Sequence, residues 1–246
     1  MPEGIAVEWV LVPIGFLGAL VYGVTGCGSA LITIPLASHF VPLPFALAVF
    51  VLQAFSSALR IASENPRHAV KAEVARMVSL MIVGIIVGTG LLLILPREAS
   101  MLALGVFVLL YGVWSLLQRG APRVVNARWA YVAGFSGGAF GMLFGAGGPP
   151  YAIYLSQRGL SKEQFRSTMT LTSVFSIGFR VVALASAGLL FRAEVWMAAA
   201  LVVPTALLAI VFASRFFRHI SRELLLRLVA LMLLATGTSL IARALG

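Results

Sequence analysis

The stretch of residues 134–150, GFSGGAFGMLFGAGGPP, constrains the fold of this chain more than any other. It holds seven glycines and two prolines among 17 residues, and it lies inside a run, residues 129–157, without a charged side chain. Inside a helix, glycine costs about 1 kcal/mol relative to alanine and proline costs about 3 kcal/mol. In a bilayer, irregular backbone persists only where protein buries it or where it lines a wet cavity. The run therefore predicts a helix that is broken at the floor of a binding site.

The composition predicts an all-α, polytopic membrane protein. Of 246 residues, 61% are hydrophobic and 11% are charged, and the mean hydropathy is +1.03. A soluble domain has about 45–50% apolar and about 25% charged residues. Eight apolar runs have helical lengths, and none shows the alternation of an outer-membrane barrel. These runs are residues 9–37, 41–59, 77–95, 100–117, 129–156, 167–190, 195–214 and 228–242.

Two halves of about 120 residues resemble each other, which is a hallmark of transporter folds. Residues 14–29 align with residues 133–148 at a shift of 119, with five identities, four of them glycines. Phe55, Ser56 and Arg60 match residues 175, 176 and 180 at a shift of 120, and residues 72–74 match 193–195 at a shift of 121. We therefore assign residues 1–120 to a first repeat and residues 121–246 to a second, within one integral membrane domain.

The charges of the loops favour inverted repeats. Lysine and arginine collect in cytoplasmic loops, but if each glycine-rich segment crosses the bilayer once, two basic loops (158–166 and 215–227) lie outside. If each segment instead enters and returns on one side, 14 of the 18 Lys and Arg residues are cytoplasmic. Each repeat then has one re-entrant helical hairpin and three transmembrane helices, with both termini outside. The net charge of +10 is then explained without nucleic acid.

The two hairpins predict an anion site at the midplane. The second arm of each hairpin is expected to begin there, after residues 147–148 in one repeat and with Ser29 as the N-cap in the other. A helix N-terminus offers unpaired N–H groups and about half a positive charge, and glycine lets a ligand approach closely. Gly15, Gly18, Gly134 and Gly137 are instead expected to be helix-packing contacts. The predicted substrate-binding residues of the hairpins are Gly26, Cys27, Gly28, Ser29, Gly145, Ala146, Gly147, Gly148 and Pro149.

Arg180 is the second indication of an anion. A guanidinium at mid-span costs at least about 2.5–3.5 kcal/mol, and the apolar runs contain no acidic residue. An anionic substrate would compensate this charge, and snorkelling towards a headgroup is the alternative for Arg180 and for its repeat mate Arg60. Polar side chains precede both arginines at helical spacing and are candidates for substrate contacts or for helix–helix hydrogen bonds. They are Gln53, Ser56, Thr172, Ser173 and Ser176.

Catalytic and metal-binding patterns are not apparent. The three histidines are scattered, and the chain has no nucleophile elbow, His-Glu pair or P-loop. We expect no enzyme activity, no cofactor and no metal site. The expected partners are a small anionic substrate and the lipid bilayer, and a homodimer is an open alternative for the assembly.

Three segments resemble the sulfite exporter family, TauE/SafE. They are GVTGCGSALITIPL at residues 23–36, GAGGPP at 145–150 and FRSTMTLTSVFSIGFR at 165–180. The resemblance implies a duplicated helix bundle and a bacterial inner-membrane transporter of sulfite, organosulfonates or related organic anions. The alternatives are a membrane scaffold or assembly protein, which needs no central cavity, and a membrane-embedded enzyme subunit.

Overall fold

The structure, a computed structural model, describes residues 7–25, 29–63, 68–117 and 125–216, together with 231, 234–235 and 237–242. Within these residues every regular element is helical, and residues 237–242 are helical as well. The helices are α1 (Val7–Thr25), α2 (Ser29–Ala37), α3 (Leu43–Ala62), α4 (Lys71–Ile94), α5 (Arg97–Leu117), α6 (Trp129–Phe144), α7 (Gly148–Ser156), α8 (Lys162–Ser186) and α9 (Ala193–Phe216).

Four of these helices, α3, α4, α8 and α9, are long and apolar enough to cross a membrane. Large apolar side chains on α4, such as Ile86, Leu93 and Ile94, are exposed. In water such a surface would be an aggregation hazard, whereas lipid solvates it. The expected all-α membrane protein is confirmed.

The second glycine-rich segment breaks where the sequence predicts. Helix α6 ends at Phe144, and Gly145 adopts a left-handed conformation with φ of 72°. The N–H groups of Gly145 and Ala146 both donate to the carbonyl of Phe140, which closes the end of α6. Helix α7 begins at Gly148, and its prolines occupy the first turn, where proline is tolerated.

Each broken segment folds back on itself as a hairpin. A Cβ at Gly137 in α6 would overlap the ring of Tyr151 in α7, and a Cβ at Gly18 in α1 would overlap the methyl group of Thr33 in α2. The second arm of each hairpin therefore lies against the first. These contacts confirm that Gly18 and Gly137 are packing positions.

The runs of residues 9–37 and 129–157 are 29 residues each, the length of two half-helices and a turn, yet the arms of the hairpins are unequal. Helices α2 and α7 have nine residues each, but α1 has 19 and α6 has 16. At 1.5 Å per residue, α6 is about 24 Å long and α7 is about 14 Å long. Glycines inside these first arms do not break them, because neighbouring helices bury their backbone.

Close backbone contacts fix the first arms in the bundle. A Cβ at Gly134 or Gly138 of α6 would overlap a backbone carbonyl of α4, and a Cβ at Gly84 of α4 would overlap a carbonyl of α6. Gly15 of α1 lies similarly close to Val202 of α9. The expected packing role of Gly15 and Gly134 is thus confirmed.

The same order of elements occurs twice. A hairpin, α1–α2 or α6–α7, is followed by a long helix, α3 or α8, and then by a second one, α4 or α9. Helix α4 packs on α6 of the other half, α9 packs on α1, and α3 packs on α8. Each hairpin is therefore held by a helix of the opposite half.

The contact between α4 and α6 can be tested with two glycines of α4. We expect Gly84→Ala to lower the free energy of unfolding by about 1–3 kcal/mol, because the added methyl group meets a backbone carbonyl that cannot move aside. Gly90→Ala is the matched control, because a Cβ there meets no atom within 4 Å. Thermal unfolding in detergent should show a lower Tm for Gly84→Ala alone. Equal Tm values for the two variants would contradict this packing.

Candidate functional site

A small cavity lies where the two hairpins meet α8. Its volume is about 40 Å³, which exceeds the roughly 10–15 Å³ that one water occupies in such a measure. The cavity therefore has room for a few waters or for one compact ion. Its lining consists of Tyr22, Ser29, Ala30, Leu31, Ala54, Gly145, Ala146, Gly147, Gly148, Pro149, Tyr151, Ser173, Ser176, Ile177 and Arg180.

Helix α8 supplies the side of the cavity that carries charge. Ser173, Ser176, Ile177 and Arg180 are spaced i, i+3, i+4 and i+7, so they share one helical face. The helix starts at a capping box in which Ser161 accepts a hydrogen bond from the Gln164 N–H and the Gln164 side chain accepts one from the Ser161 N–H. This cap stabilises the N-terminus of α8.

Arg180 brings a buried positive charge to the cavity. The residue is 4% exposed, and its Nη1 donates to the carbonyl of Gly145 at 3.4 Å. Its Nε is buried and has no hydrogen-bond partner within the part of the chain that the structure describes. The residues that line the cavity include no carboxylate. A buried guanidinium without a counter-charge is costly, so this site favours an anion.

Tyr151 and Ser176 form a polar contact on the cavity wall. The Tyr151 hydroxyl and the Ser176 Oγ lie 3.1 Å apart, and both residues are buried. The sequence reasoning missed Tyr151 and also Tyr22. Tyr151 comes one helical turn after Gly148, and this spacing from the helix start is the signal that points it at the same cavity.

The first turns of α2 and α7 meet at the cavity. Ser29 begins α2 and Gly148 begins α7, and both residues line the cavity. Ser29 is the first described residue of α2, and its expected role as the N-cap stays a prediction. The prolines of α7 carry no N–H, so Gly147 and Gly148 supply the N–H groups of this helix start. The predicted site residues Gly26, Cys27 and Gly28 lie outside the described residues.

Four predicted site residues do not line the cavity. Gln53 donates to the carbonyl of Gly15 at 3.0 Å and so links α3 to α1. Ser56 and Thr172 each donate to the carbonyl four residues earlier in their own helix. Arg60 is exposed in the last turn of α3. Ser56 and Thr172 thus have partners in their own helices. The contact of all four residues with substrate stays a prediction.

A second charged cluster surrounds Glu73, and it was not predicted from the sequence. Helix α4 begins before the apolar run that starts at residue 77, so that Glu73 lies in its first turn and is 4% exposed. The carboxylate accepts hydrogen bonds from Arg76, Tyr154 and Arg158. The hydrogen bonds to Glu73 raise the pKa of Arg158 above the ordinary value of a guanidinium, so this pair stays charged.

Comparison with known proteins identifies the family. The model of the sulfite exporter family TauE/SafE matches residues 11–240, and the chain therefore belongs to that family. A probable inner membrane transporter protein, TsaS, of Comamonas testosteroni is 29% identical over 164 residues, which cover 65% of this chain and 67% of that protein. No solved structure matches the chain. The chain is a multi-pass inner-membrane protein of a transporter family.

The contact between the hairpins beside the cavity can be tested at Gly145. A Cβ there would lie 2.8 Å from Ile34 Cγ1 and 3.0 Å from the Cβ of Ala30, both on α2. Gly145→Ala should therefore lose stability through the left-handed backbone, about 1–2 kcal/mol, and through this steric contact as well.

Gly159→Ala separates the two effects. Gly159 has a similar φ of 65°, but a Cβ there meets no atom within 4 Å. Thermal unfolding should rank wild type above Gly159→Ala and Gly159→Ala above Gly145→Ala. A Gly145→Ala protein as stable as Gly159→Ala would show that the hairpins do not touch at this point.

Proposed function

We propose that this member of the sulfite exporter family is a secondary carrier that moves a small anion across the inner membrane. The substrate would bind in the cavity between the hairpins and α8. The proposed class is sulfite, an organosulfonate or a related sulfur-containing or organic anion. Support for transport rather than catalysis comes from the family and from the transporter of Comamonas testosteroni.

The observation that carries the proposal is the buried Arg180, whose Nε has no hydrogen-bond partner among the residues that the structure describes. Inserting such a charge into a bilayer costs at least about 2.5–3.5 kcal/mol. An oxyanion would recover this cost, since charge-assisted hydrogen bonds are about twice as strong as neutral ones. Ser173, Ser176 and Tyr151 offer hydroxyl groups on the same wall.

The helix starts add to the attraction for an anion. The N-terminus of a helix carries about half a positive charge, and those of α2 and α7 both adjoin the cavity. With Arg180 this makes a positive site that needs no lysine. The cavity of about 40 Å³ accommodates a compact charged head, and a substrate with an organic tail would require the hairpins to separate.

Inverted repeats would provide the alternating access of such a carrier. We propose that residues 1–120 and 121–246 have opposite orientations, each with a re-entrant hairpin, and that both termini lie outside. The recurring order of elements and the exchange of packing partners between the halves support a duplication. Rocking of one half against the other would open the cavity to each side in turn.

Anion binding gives the first test of this function. In detergent, sulfite, sulfonates and carboxylates are added to the purified protein, and the Tm is followed. A true substrate at 100 times its Kd should stabilise the wild type by about 2.7 kcal/mol, whereas Arg180→Gln should gain little. Arg192→Gln is the control for loss of a positive charge, because Arg192 is exposed and does not line the cavity.

Uptake of the same labelled anions into proteoliposomes then tests transport itself. The Arg192→Gln protein should transport like the wild type, and Arg180→Gln should not transport. If Arg180→Gln keeps the anion-dependent rise in Tm, the assigned role of Arg180 is wrong.

The proposed topology predicts opposite sides for two basic residues. Single cysteines are placed at Arg97 and Lys162 in a Cys27→Ser background, which is free of other cysteines because Cys27 is the only one. A membrane-impermeant maleimide should label Arg97→Cys from outside and Lys162→Cys from the cytoplasm. Labelling of both positions from one side would contradict the re-entrant hairpins.

A further inference from the structure

Helix α7 is held at both of its ends. At its start, Tyr151 contacts Ser176 beside the cavity. Near its end, Tyr154 donates a hydrogen bond to Glu73 of α4, and Arg158 follows directly after the helix. Because α7 has only nine residues, less than three helical turns separate Arg158 from the cavity wall at Tyr151.

The contact at the end of α7 is a paired charge. Arg158 donates to Oε1 of Glu73 through both Nε, at 3.1 Å, and Nη2, at 2.9 Å. The Glu73 side chain is 5% exposed and the Arg158 side chain is 21% exposed, so solvent screens the pair weakly. Arg158 Nη1 also donates to the carbonyl of Val125 at 2.8 Å, which adds the segment before α6 to the contact.

The other half of the molecule lacks this arrangement within the described residues. The repeat mate of Glu73 is Glu194, in the first turn of α9, and Glu194 is exposed. At the end of α2, His39 hydrogen-bonds the carbonyl of Pro35 and the hydroxyl of Ser239 instead. Among the described residues, an ionic contact thus holds the end of α7, and histidine hydrogen bonds hold the end of α2.

We infer that Glu73 and Arg158 form a gate, a pair of positioning residues that holds α7 against α4 and closes the cavity on the side of Arg158. This inference rests on the proposed transport through the cavity. When Glu73 separates from both Arg158 and Tyr154, α7 loses its anchor to α4 and retains the Tyr151–Ser176 contact. The helix then moves as a unit about that contact, and the cavity opens towards the basic loops at Arg128 and Arg158.

The test places a reporter cysteine in the cavity. Ile177→Cys lines the cavity without taking part in its polar contacts, and Cys27→Ser removes the native thiol. In inside-out vesicles, an impermeant maleimide should label the reporter at least tenfold faster with Arg158→Gln than with Arg158. Arg158→Lys keeps the charge and should stay within threefold of the parent, and Glu194→Gln should have no effect.

Binding and transport distinguish a gate from a general structural role. The Kd for sulfite, from the anion-dependent Tm, should stay within threefold in Arg158→Gln, while the maximal uptake rate falls at least fivefold. Tyr154→Phe removes one hydrogen bond to Glu73 and provides a milder variant if Arg158→Gln does not fold. It should increase labelling two- to fivefold.

The outcomes separate the gate from the proposed function. Equal labelling rates in the parent and in a folded Arg158→Gln or Tyr154→Phe variant would overturn the gate. A parent protein whose labelling and Tm do not respond to any of the anions would overturn the proposed function instead. The ratio of labelling rates would still decide whether the pair closes the cavity.

Discussion

The buried guanidinium of Arg180 is the constraint on which the rest of the site depends. A positive charge in an apolar bundle needs a counter-charge, and the residues around this cavity provide none. They provide a carbonyl at 3.4 Å, two neighbouring helix starts and several hydroxyl groups. The helix starts attract an anion and the hydroxyl groups can donate hydrogen bonds to it, whereas the carbonyl does neither. In the proposed carrier, an anionic substrate would supply the counter-charge that Arg180 lacks at this cavity.

The glycines serve this site in two different ways. In α1 and α6 they let backbones of neighbouring helices touch, which fixes the long arms of the hairpins against α9 and α4. At Gly145 the left-handed backbone ends α6 and turns the chain towards Arg180. The first arms of the hairpins are fixed by packing, and the backbone after them is irregular. Together these features place the starts of α2 and α7 at one cavity.

The local residue pattern made part of the fold and of the candidate site predictable from the sequence. Two adjacent glycines followed directly by two prolines rarely continue a helix, so the break at residues 145–147 was predicted to within one residue. The length of α6 was not predicted, because tertiary packing at Gly134 and Gly138 offsets the low helix propensity of these glycines. Arg180 was recognised because a charge inside an apolar run is rare.

The remaining site residues depend on how the helices rotate and pair, which a single sequence does not encode locally. Gln53 and Ser173 occupy equivalent positions in the repeats, yet Ser173 lines the cavity and Gln53 bonds to Gly15. Glu73 and Arg158 are 85 positions apart and meet only through the fold. Tyr151 reaches Ser176 because its ring lies on Gly137.

The most direct measurement is an experimental structure of the protein with selenite, whose selenium locates a sulfite-like anion by anomalous scattering. The account predicts one anion between the first turns of α2 and α7, with an oxygen within about 3 Å of Arg180 Nε. An anion bound elsewhere, or an unoccupied cavity at a saturating concentration of a transported anion, would contradict it.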